Sequence, residues 1–559
     1  MQIKLKNVFQ ISIVAGALAL AGCGGDINVT PTVNDNSVDN STNNSGNTTT
    51  TPPVGDTNPC ATRGDLQGAY DGQDCSYSAA FASKNVEVTE DLTFAELEGD
   101  GVHVFSGALL IGKDCNTTTS CSVVANGPTL TIAAGANLAF DSGEAIIRVA
   151  RGAKINAVGT IDKPINFTSA NAYERLDVVG DGPQFADWGG IIINGFGITN
   201  QCTDVARDAG TCNAPTEGVL SHFGGSDNTD NSGTIQYAKI WYAGSGPKTG
   251  GAGDDLNSLT LNGVGSATSF DYIHIHQGFD DGIEFFGGAS TLKHIVVTDT
   301  QDDGIDIDGG WQGKAQFIVV KHGTVKSNRE VISPAIVEDG VIEKPEQIFP
   351  AGTPLFMGNN GFETDGEKNS GAEYSQAPAS NPVIANVTVI TTDGKSLRDG
   401  DPSQAFKFDD AIKGMYYNVL MVKTDSTNGT DCVQFKSDGE KNADALSFTS
   451  SAMACISEFK GDSVFGDKAP VALQGIAKTD WFDNSGANER IGGNASVLVA
   501  NGFATDTASA DITVTANDLS SLNDSFFETV SYVGGVSAQD TGSDWYNWVE
   551  TAIAAADLD

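Results

Sequence analysis

Apolar and polar residues recur along this chain with a repeat of 22 residues. The segment 270–288 (FDYIHIHQGFDDGIEFFGG) aligns without gaps over the segment 292–310 (LKHIVVTDTQDDGIDIDGG). In both segments an apolar run precedes Asp-Asp-Gly, a second apolar run follows it, and the unit closes with Gly-Gly. Alternation with a period of two predicts short strands, and the intervening Gly and Asp predict turns. Each unit is therefore expected to hold short strands separated by tight turns.

Related runs occur elsewhere, which extends the repeat over much of the chain. They are IQYAKIWYAG (235–244), LTLNG (259–263), GFETD (361–365), ANVTVITTD (385–393), AFKFD (405–409) and YNVLMVKTD (417–425). A unit this small cannot cover its own apolar face, so units must stack. Leucine-rich repeats need a Leu/Asn consensus that is absent, and propeller blades need about 40 residues. We predict an all-β fold, a right-handed parallel β-helix with coils of about 22 residues whose strands pair at about 4.8 Å.

The N-terminal residues predict export and a lipid anchor. Lys4 and Lys6 precede a short apolar stretch that ends in Leu-Ala-Gly-Cys23, which resembles a bacterial lipobox. We predict a lipoprotein signal peptide at 1–22 and acylation of Cys23, with an ordinary secretory peptide as the alternative. Several acyl chains on one residue anchor stably. Gly24 favours the outer membrane, because Asp at that position would suggest retention in the inner membrane.

Composition narrows the classes of partner. The 72 Asp and Glu residues outnumber the 31 Lys and Arg residues and give a net charge of −41. Such a surface repels phosphate, so we exclude nucleic acid as a main partner. At 39% apolar residues the chain can still build a core.

The cysteines predict disulfides rather than a metal site. Without Cys23 there are eight, and they fall into close neighbours in sequence: Cys60/Cys75, Cys115/Cys121, Cys202/Cys212 and Cys432/Cys455. An even number in an exported protein favours four disulfides that close local loops. No C-x-x-C occurs and no His accompanies the pairs, which disfavours a metal site.

These observations divide the chain into five regions. We predict a signal peptide (1–22), a disordered Asn/Thr/Ser/Pro-rich tether (23–58), a disulfide-containing N-terminal cap (59–100), a β-helix (101–455) with a long loop at about 324–381, and C-terminal coils with a cap (456–559).

Five motifs in order resemble a bacterial family of exported β-helix proteins. They are RGAKINAVGTIDKPINFTS, DWGGIIING, SGTIQYAKIWYAG, the DDGIEFFGG/DDGIDIDGG pair and a terminal SFFETVSYVGGV…DWYNW. The family is uncharacterised and consists of lipoproteins and surface proteins with a solenoid like that of pectate lyase. The resemblance implies the fold and an envelope location, and it carries no catalytic residues. It also implies that Trp545 and Trp548 close the last coil as a cap.

Carboxylates fall in register on the predicted outer face. Alternation in Ile305–Asp308 places the two Ile inward and the two Asp outward, and Glu284 is expected directly beside Asp306. The predicted metal ligands are Asp280, Asp281, Glu284, Asp302, Asp303, Asp306, Asp308, Glu363 and Asp365. Oxygen ligands favour a hard cation such as Ca2+. The alternative is that Asp-Asp-Gly serves only as turn chemistry, and Lys407 interrupts the row.

Other polar and aromatic residues admit two interpretations. Asp302, Asp303 and His322 faintly resemble the order of catalytic residues in polygalacturonases. His274 and His276 would bind a transition metal or form an outward polar row. The aromatic residues Trp188, Trp241, Tyr242 and Trp311 would stack on sugars or fill corners of the solenoid.

The function predicted from sequence is that of an outer-membrane β-helix lipoprotein, held by lipid on Cys23 and facing the periplasm or the cell surface. It would serve as an adhesin-like binding module, or as an accessory module beside an outer-membrane transporter, with Ca2+ as the expected cofactor. The alternative is a polysaccharide hydrolase or lyase that acts on an acidic glycan.

Overall fold

The computed structural model describes residues 58–557 apart from short gaps at 116–121, 246–254, 334–335, 339–340, 368–376, 392–393, 395–396, 398–402, 424–430, 494–496 and 500. The predicted signal peptide, Cys23 and residues 23–57 of the predicted tether lie outside the described residues. From Asn58 the chain winds into stacked coils whose strands pair in parallel. The predicted parallel β-helix is confirmed. Within the described residues no helix has the length and apolar character needed to span a membrane.

One side of the β-helix is a sheet of eleven parallel strands, here called the first sheet. Its strands are Glu87–Val88, Leu109–Ile111, Ile147–Val149, Ile191–Asn194, Leu259–Val264, Ile283–Gly288, Ile305–Asp308, Asn360–Asp365, Gln404–Asp409, Asp431–Phe435 and Ser457–Lys460. Glu284 pairs with Asp306, and Asp306 pairs with Glu363. Ile305 and Ile307 point into the core, as alternation predicted.

The remaining sides form a second sheet of seventeen strands. They are Ala69–Tyr70, Cys75–Tyr77, Leu92–Phe94, His103–Phe105, Thr129–Ile132, Asn137–Phe140, Lys154–Val158, Ile165–Ser169, Gly233–Trp241, Ser269–His276, Thr291–Thr298, Lys314–Lys321, Val383–Thr391, Gly414–Lys423, Leu446–Thr449, Ala452–Ala454 and Glu489–Arg490. Strand Gly233–Trp241 pairs with both Lys154–Val158 and Ile165–Ser169. Two short strands per coil thus continue as one long strand in the later coils. The region predicted as an N-terminal cap already contains coil strands, because Cys75–Tyr77 pairs in parallel with His103–Phe105.

Each long strand bends at one residue with a left-handed backbone. The φ angles lie between 48° and 60° at Tyr237, Tyr272, His294, Phe317, Asn386 and Asn418. Such angles are uncommon outside Gly and Asn, and they turn these side chains outward at the same level of every coil. The first four rings stack, with centroids 4.3, 4.3 and 5.1 Å apart.

An antiparallel arm and several insertions interrupt the coils. The arm pairs Thr324–Lys326 with Pro354–Phe356, Val331–Ser333 with Gln347–Phe349, and Ile336–Glu338 with Val341–Lys344. The next strand, Asn360–Asp365, is already part of the first sheet. The interval predicted as one long loop therefore holds an arm and a coil strand. Helix α1 (Asp204–Asp208) lies in a second insertion, and two-stranded pairs Thr62–Arg63/Leu66–Gln67 and Ala214–Pro215/His222–Phe223 lie outside the coils.

The C-terminal residues are arranged differently from the prediction that Trp545 and Trp548 cap the last coil. Phe465, with Trp481 and Phe482 of helix α2 (Lys478–Ser485), completes the main core at its C-terminal end. The two predicted cap residues belong to helix α3 (Asp544–Ala556), which packs on the side of the β-helix.

Helix α3 packs on the side of the β-helix because the outward row of aromatic rings there offers it a surface to pack against. The ring centroids of Trp545 and His294 lie 5.1 Å apart, and those of Trp548 and Tyr237 lie 5.7 Å apart. Chain segments before the helix bind the same side, with Glu528 Oε1 2.6 Å from Lys293 Nζ. We call residues 517–557 the strap, because they run back along the second sheet.

Disulfides close local loops as predicted for the described pairs. Cys60–Cys75, Cys202–Cys212 and Cys432–Cys455 are bonded. Cys115 is also disulfide-bonded, and its predicted partner Cys121 lies outside the described residues.

Candidate functional site

All nine predicted metal ligands line one cavity on the outer face of the first sheet. This cavity, the carboxylate cleft, has a volume of about 280 Å³. Its wall consists of Glu217, Asp280, Asp281, Glu284, Phe286, Asp302, Asp303, Asp306, Asp308, Glu363 and Asp365. Three successive strands of the sheet and the turns before them supply most of these side chains, since the coil repeat stacks equivalent residues.

In the cleft and at its edge, where Asp409 lies beside the cleft residue Asp365, three groups of carboxylates approach closely enough to share a cation. They are Asp280/Asp281/Asp302, Asp281/Glu284/Asp306 and Glu363/Asp365/Asp409, and in each group the oxygens lie within 4.8 Å of one another. Such all-oxygen sets are the donors that Ca2+ takes in proteins.

A ladder of side-chain hydrogen bonds runs beneath the cleft, one step per coil. The backbone N–H of Asp281 donates to Asn257 Oδ1 (3.1 Å), and that of Asp303 donates to Asp281 Oδ1 (2.9 Å). The backbone N–H of Asn360 then donates to Asp303 Oδ1 (2.6 Å). These bonds join neighbouring coils and do not close the Asp-Asp-Gly turns themselves, and neither Gly282 nor Gly304 has a positive φ, so the turn chemistry considered as an alternative takes a different form here. The ladder occupies one oxygen of each of the two Asp residues, and the end positions of the ladder are Asn.

Burial makes the cleft unfavourable for this much negative charge. Burial and neighbouring carboxylates raise the pKa of Asp281, Glu284 and Asp303 well above the ordinary range. Burial and the nearby Asp280 raise the pKa of Glu217 to about 8. Protons on these groups are the compensation available to the protein alone.

Lys407 supplies a positive charge at one end of the row of carboxylates on the first sheet. Lys407 pairs with Glu363 in the register of the sheet, and its Nζ contacts Glu363 Oε1. Burial acts to raise the pKa of Glu363, but the Lys407 ammonium, a hydrogen bond with Asp303 and the charge of Lys436 together outweigh it, and the net shift is downward. The interruption noted in the sequence thus places a cation beside Glu363, and its charge also acts on Asp303 and Asp365.

His322 does not join Asp302 and Asp303 in the cleft. Among the described residues it is absent from the cleft wall. Its Nε2 hydrogen-bonds Thr300 Oγ1 (3.0 Å), and burial lowers the pKa of His322 to about 3. Gly358 covers the other ring nitrogen, since a Cβ there would lie 1.9 Å from Nδ1. The predicted catalytic set of three is therefore not assembled in the cleft.

His274 and His276 are buried, not part of an outward polar row. The indole N–H of Trp241 donates to His274 Nδ1 (3.1 Å), so that ring carries its proton on Nε2, which donates to Thr298 Oγ1 (2.9 Å). Burial lowers the pKa of His274 well below the usual value. The ring is a neutral part of the packing.

The remaining aromatic residues mostly fill the solenoid. Trp188 stacks on Phe140 (4.3 Å), Trp311 stacks on Phe285 (4.1 Å), and Tyr242 is also buried. Trp241 is half-buried.

Sequence reasoning missed two carboxylates of the site. Glu217 comes from the insertion between strands Ile191–Asn194 and Leu259–Val264, where no repeat marks it. Asp409 lies in the recurring AFKFD motif and pairs with Asp365, so the motif alignment could have found it.

Comparison with known proteins supports the fold. Residues 107–340 match the family model described as a pectate-lyase like beta helix domain. No curated protein matches the chain.

Three solved structures are similar at low identity. Dettilon tailspike protein is 9% identical over 70% of this chain, with a TM-score of 0.27, and the match spans 62% of the tailspike. Alginate lyase from Paenibacillus sp. str. FPU-7 is 11% identical over 65% of this chain and 91% of its own, with a TM-score of 0.23. The catalytic domain of a GH87 alpha-1,3-glucanase is 10% identical over 77% of this chain and 70% of its own, with a TM-score of 0.26.

Proposed function

We propose that this protein is a lipid-anchored binding module of the outer membrane whose carboxylate cleft binds Ca2+. The match of residues 107–340 to the pectate-lyase like beta helix model supports the β-helix on which the proposal is built. The lipid would be attached to Cys23, and the side of the β-helix would present the ligand-binding surface. The cation would make the cleft rigid and would reduce its negative potential.

The observation that supports calcium is the chemical difference between neighbouring positions of the ladder. Asn257 accepts the backbone N–H of the next coil through an amide oxygen, so a neutral side chain suffices for this bond. Asp281 and Asp303 make the same bond and add buried negative charge. The ladder does not need that charge, whereas a hard cation does.

The test measures calcium binding by the full chain with isothermal titration calorimetry. We expect binding in the wild type and weakening of at least about tenfold in Asp281→Asn, because one charged ligand is lost while the ladder bond is kept. The exposed Asp444→Asn is the matched control and should bind like the wild type. Binding that is absent from the wild type, or unchanged in Asp281→Asn, would contradict the calcium site.

The proposed lipid anchor and outer-membrane location are tested in a separate experiment. Radiolabelled palmitate should be incorporated into the wild type and not into Cys23→Ser, and the labelled protein should fractionate with the outer membrane. Label in the inner membrane would contradict the proposed location.

Glycan hydrolysis is the second candidate, and the carboxylates that the cleft brings together favour it. A glycosidase needs two carboxyls about 5–10 Å apart. Asp303 and Glu363 are hydrogen-bonded to each other, and Glu363 also contacts Lys407, so the acid and the base would be other carboxylates of the cleft. Acidic glycans incubated with the full chain should then release reducing ends, and Asp302→Asn should abolish the release. Absence of product together with retention of the glycan would leave the binding module.

A further inference from the structure

A second cavity, separate from the carboxylate cleft, lies beside the insertion that carries helix α1. Its volume is about 660 Å³, within the range of small-molecule sites. Described residues from the disulfide loop 202–212, from the turn at Gly224–Asp230 and from Arg151 line it. None of them belongs to the carboxylate cleft.

Arg151 is a buried cation in the wall of this cavity, with 5% of its surface exposed. Its Nη1 donates to the carbonyl oxygens of Cys212 (3.2 Å) and Gly224 (3.0 Å), and its Nη2 donates to Asn213 Oδ1. These bonds use three of the five guanidinium N–H groups. Nε–H and one N–H of Nη2 remain. Asp114 is close enough for its charge to act on Arg151, but among the described residues no carboxylate forms an ion pair with it.

Other arginines of the chain show what this pair of atoms binds. Arg175 holds Asp74 through Nε and Nη2, each 2.8 Å from a carboxylate oxygen. Arg490 holds Asp483 through the same two atoms at 2.9 and 3.0 Å. The guanidinium fork matches a carboxylate in geometry. In Arg151 the corresponding atoms are available to a ligand.

Two carboxylates line the same cavity and define what else the ligand must carry. Asp230 is half-buried, and its Oδ2 accepts hydrogen bonds from Phe196 N (3.3 Å) and Ser232 Oγ (3.2 Å). Asp227 is exposed at the rim. A simple anion would be attracted by Arg151 and repelled by these two residues. A ligand with a carboxylate and an ammonium group satisfies all three.

We propose that this cavity binds a small zwitterion, an α-amino acid or a short peptide, with the ligand carboxylate on Arg151 and its ammonium group on the Asp227/Asp230 side. The proposal does not depend on calcium or on the carboxylate cleft.

The experiment measures binding of alanine, dialanine and trialanine to the full chain in EDTA by saturation-transfer NMR and calorimetry. At least one probe is expected to bind with a Kd of about 1 mM or tighter. Amidation of its carboxyl end or acetylation of its amine should weaken binding at least about tenfold, since each removes a charge-assisted contact. Comparison of the three lengths gives the separation of the two charged sites.

Two variants and one control locate the probe. Arg151→Met should weaken binding at least about tenfold. Because Arg151 also holds the insertion, Ser226→Trp serves as a second variant: it fills the mouth of the cavity from an exposed position and leaves Arg151 intact. The exposed Asp444→Asn lies in neither cavity and should bind like the wild type.

Three results would overturn the proposal. They are the absence of binding for every probe at about 10 mM, equal binding of the amidated or acetylated forms, and wild-type binding in both Arg151→Met and Ser226→Trp.

Discussion

The substitution Asp281→Asn should have opposite effects on stability with and without calcium. Asn keeps an oxygen that accepts the backbone N–H of Asp303, so the ladder remains intact. It removes one charge from a group in which the oxygens of Asp281, Glu284 and Asp306 lie within 4.8 Å of one another. At an effective dielectric of about 20, one such pair of charges repels by about 3 kcal/mol. Asp281 faces more than one carboxylate, but protons already neutralise part of this charge, so the expected gain without calcium is of the order of one such pair, about 3 kcal/mol.

Calcium should reverse the order of the two proteins. At a concentration about 100 times Kd, binding stabilises the wild type by about 2.7 kcal/mol, and Asp281→Asn should lose most of that gain. For a body of about 500 residues, each kcal/mol corresponds to about 1 °C in Tm.

Differential scanning calorimetry in EDTA and in calcium therefore measures four values of Tm. Without calcium Asp281→Asn should melt higher than the wild type, and with calcium it should melt lower. Asp444→Asn should follow the wild type in both buffers. If Asp281→Asn melts lower than the wild type by the same amount in both buffers, the carboxylate has a purely structural role and the reasoning is refuted.

Further predictions concern pH and packing. Because the carboxylates of the cleft have raised pKa values in the folded state, their contribution to the stability of the calcium-free protein should fall as the pH rises from about 4 through those values; above pH 6.5, where the buried His residues no longer oppose this trend, a Tm that is flat or rises with pH in EDTA would contradict it. His274 and His322 have lowered pKa values in the folded state, so their contribution should be complete above pH 6.5 and should be lost as the pH falls toward 3. This loss should be smaller in His322→Gln, and an unchanged acid limb in this variant would contradict the assignment. Lys407→Met should destabilise the protein by about 3–5 kcal/mol, because Glu363 then remains buried without its partner, and the double variant with Glu363→Gln should recover most of the loss in urea unfolding. Trp548→Ala should cost about 3–5 kcal/mol and free helix α3 for hydrogen exchange while the coils stay protected; uniform exchange would show that the strap and the coils unfold together.

The sequence predicted the coil and its carboxylate row because both depend on local repetition. An offset of 22 residues places Glu284 beside Asp306, and alternation decides which side chains face outward. Both properties follow from strand geometry once the strands stack in parallel. The same regularity allowed the nine carboxylates to be named together. The disulfides that the structure describes were predicted from the closeness of their cysteines in the sequence.

The tertiary structure decided everything that depends on contacts between distant segments. Helix α3 packs beside Tyr237 and His294 although more than 240 residues separate them in the chain. Nothing in the helix sequence distinguishes a lateral position from an end cap, because an apolar face suits either. Glu217 enters the carboxylate cleft from an insertion, and Arg151 becomes a buried cation only because the disulfide loop folds over it. A repeat is visible in the amino-acid sequence itself, whereas the positions of the insertions and of the strap depend on which surfaces pack together in the folded protein.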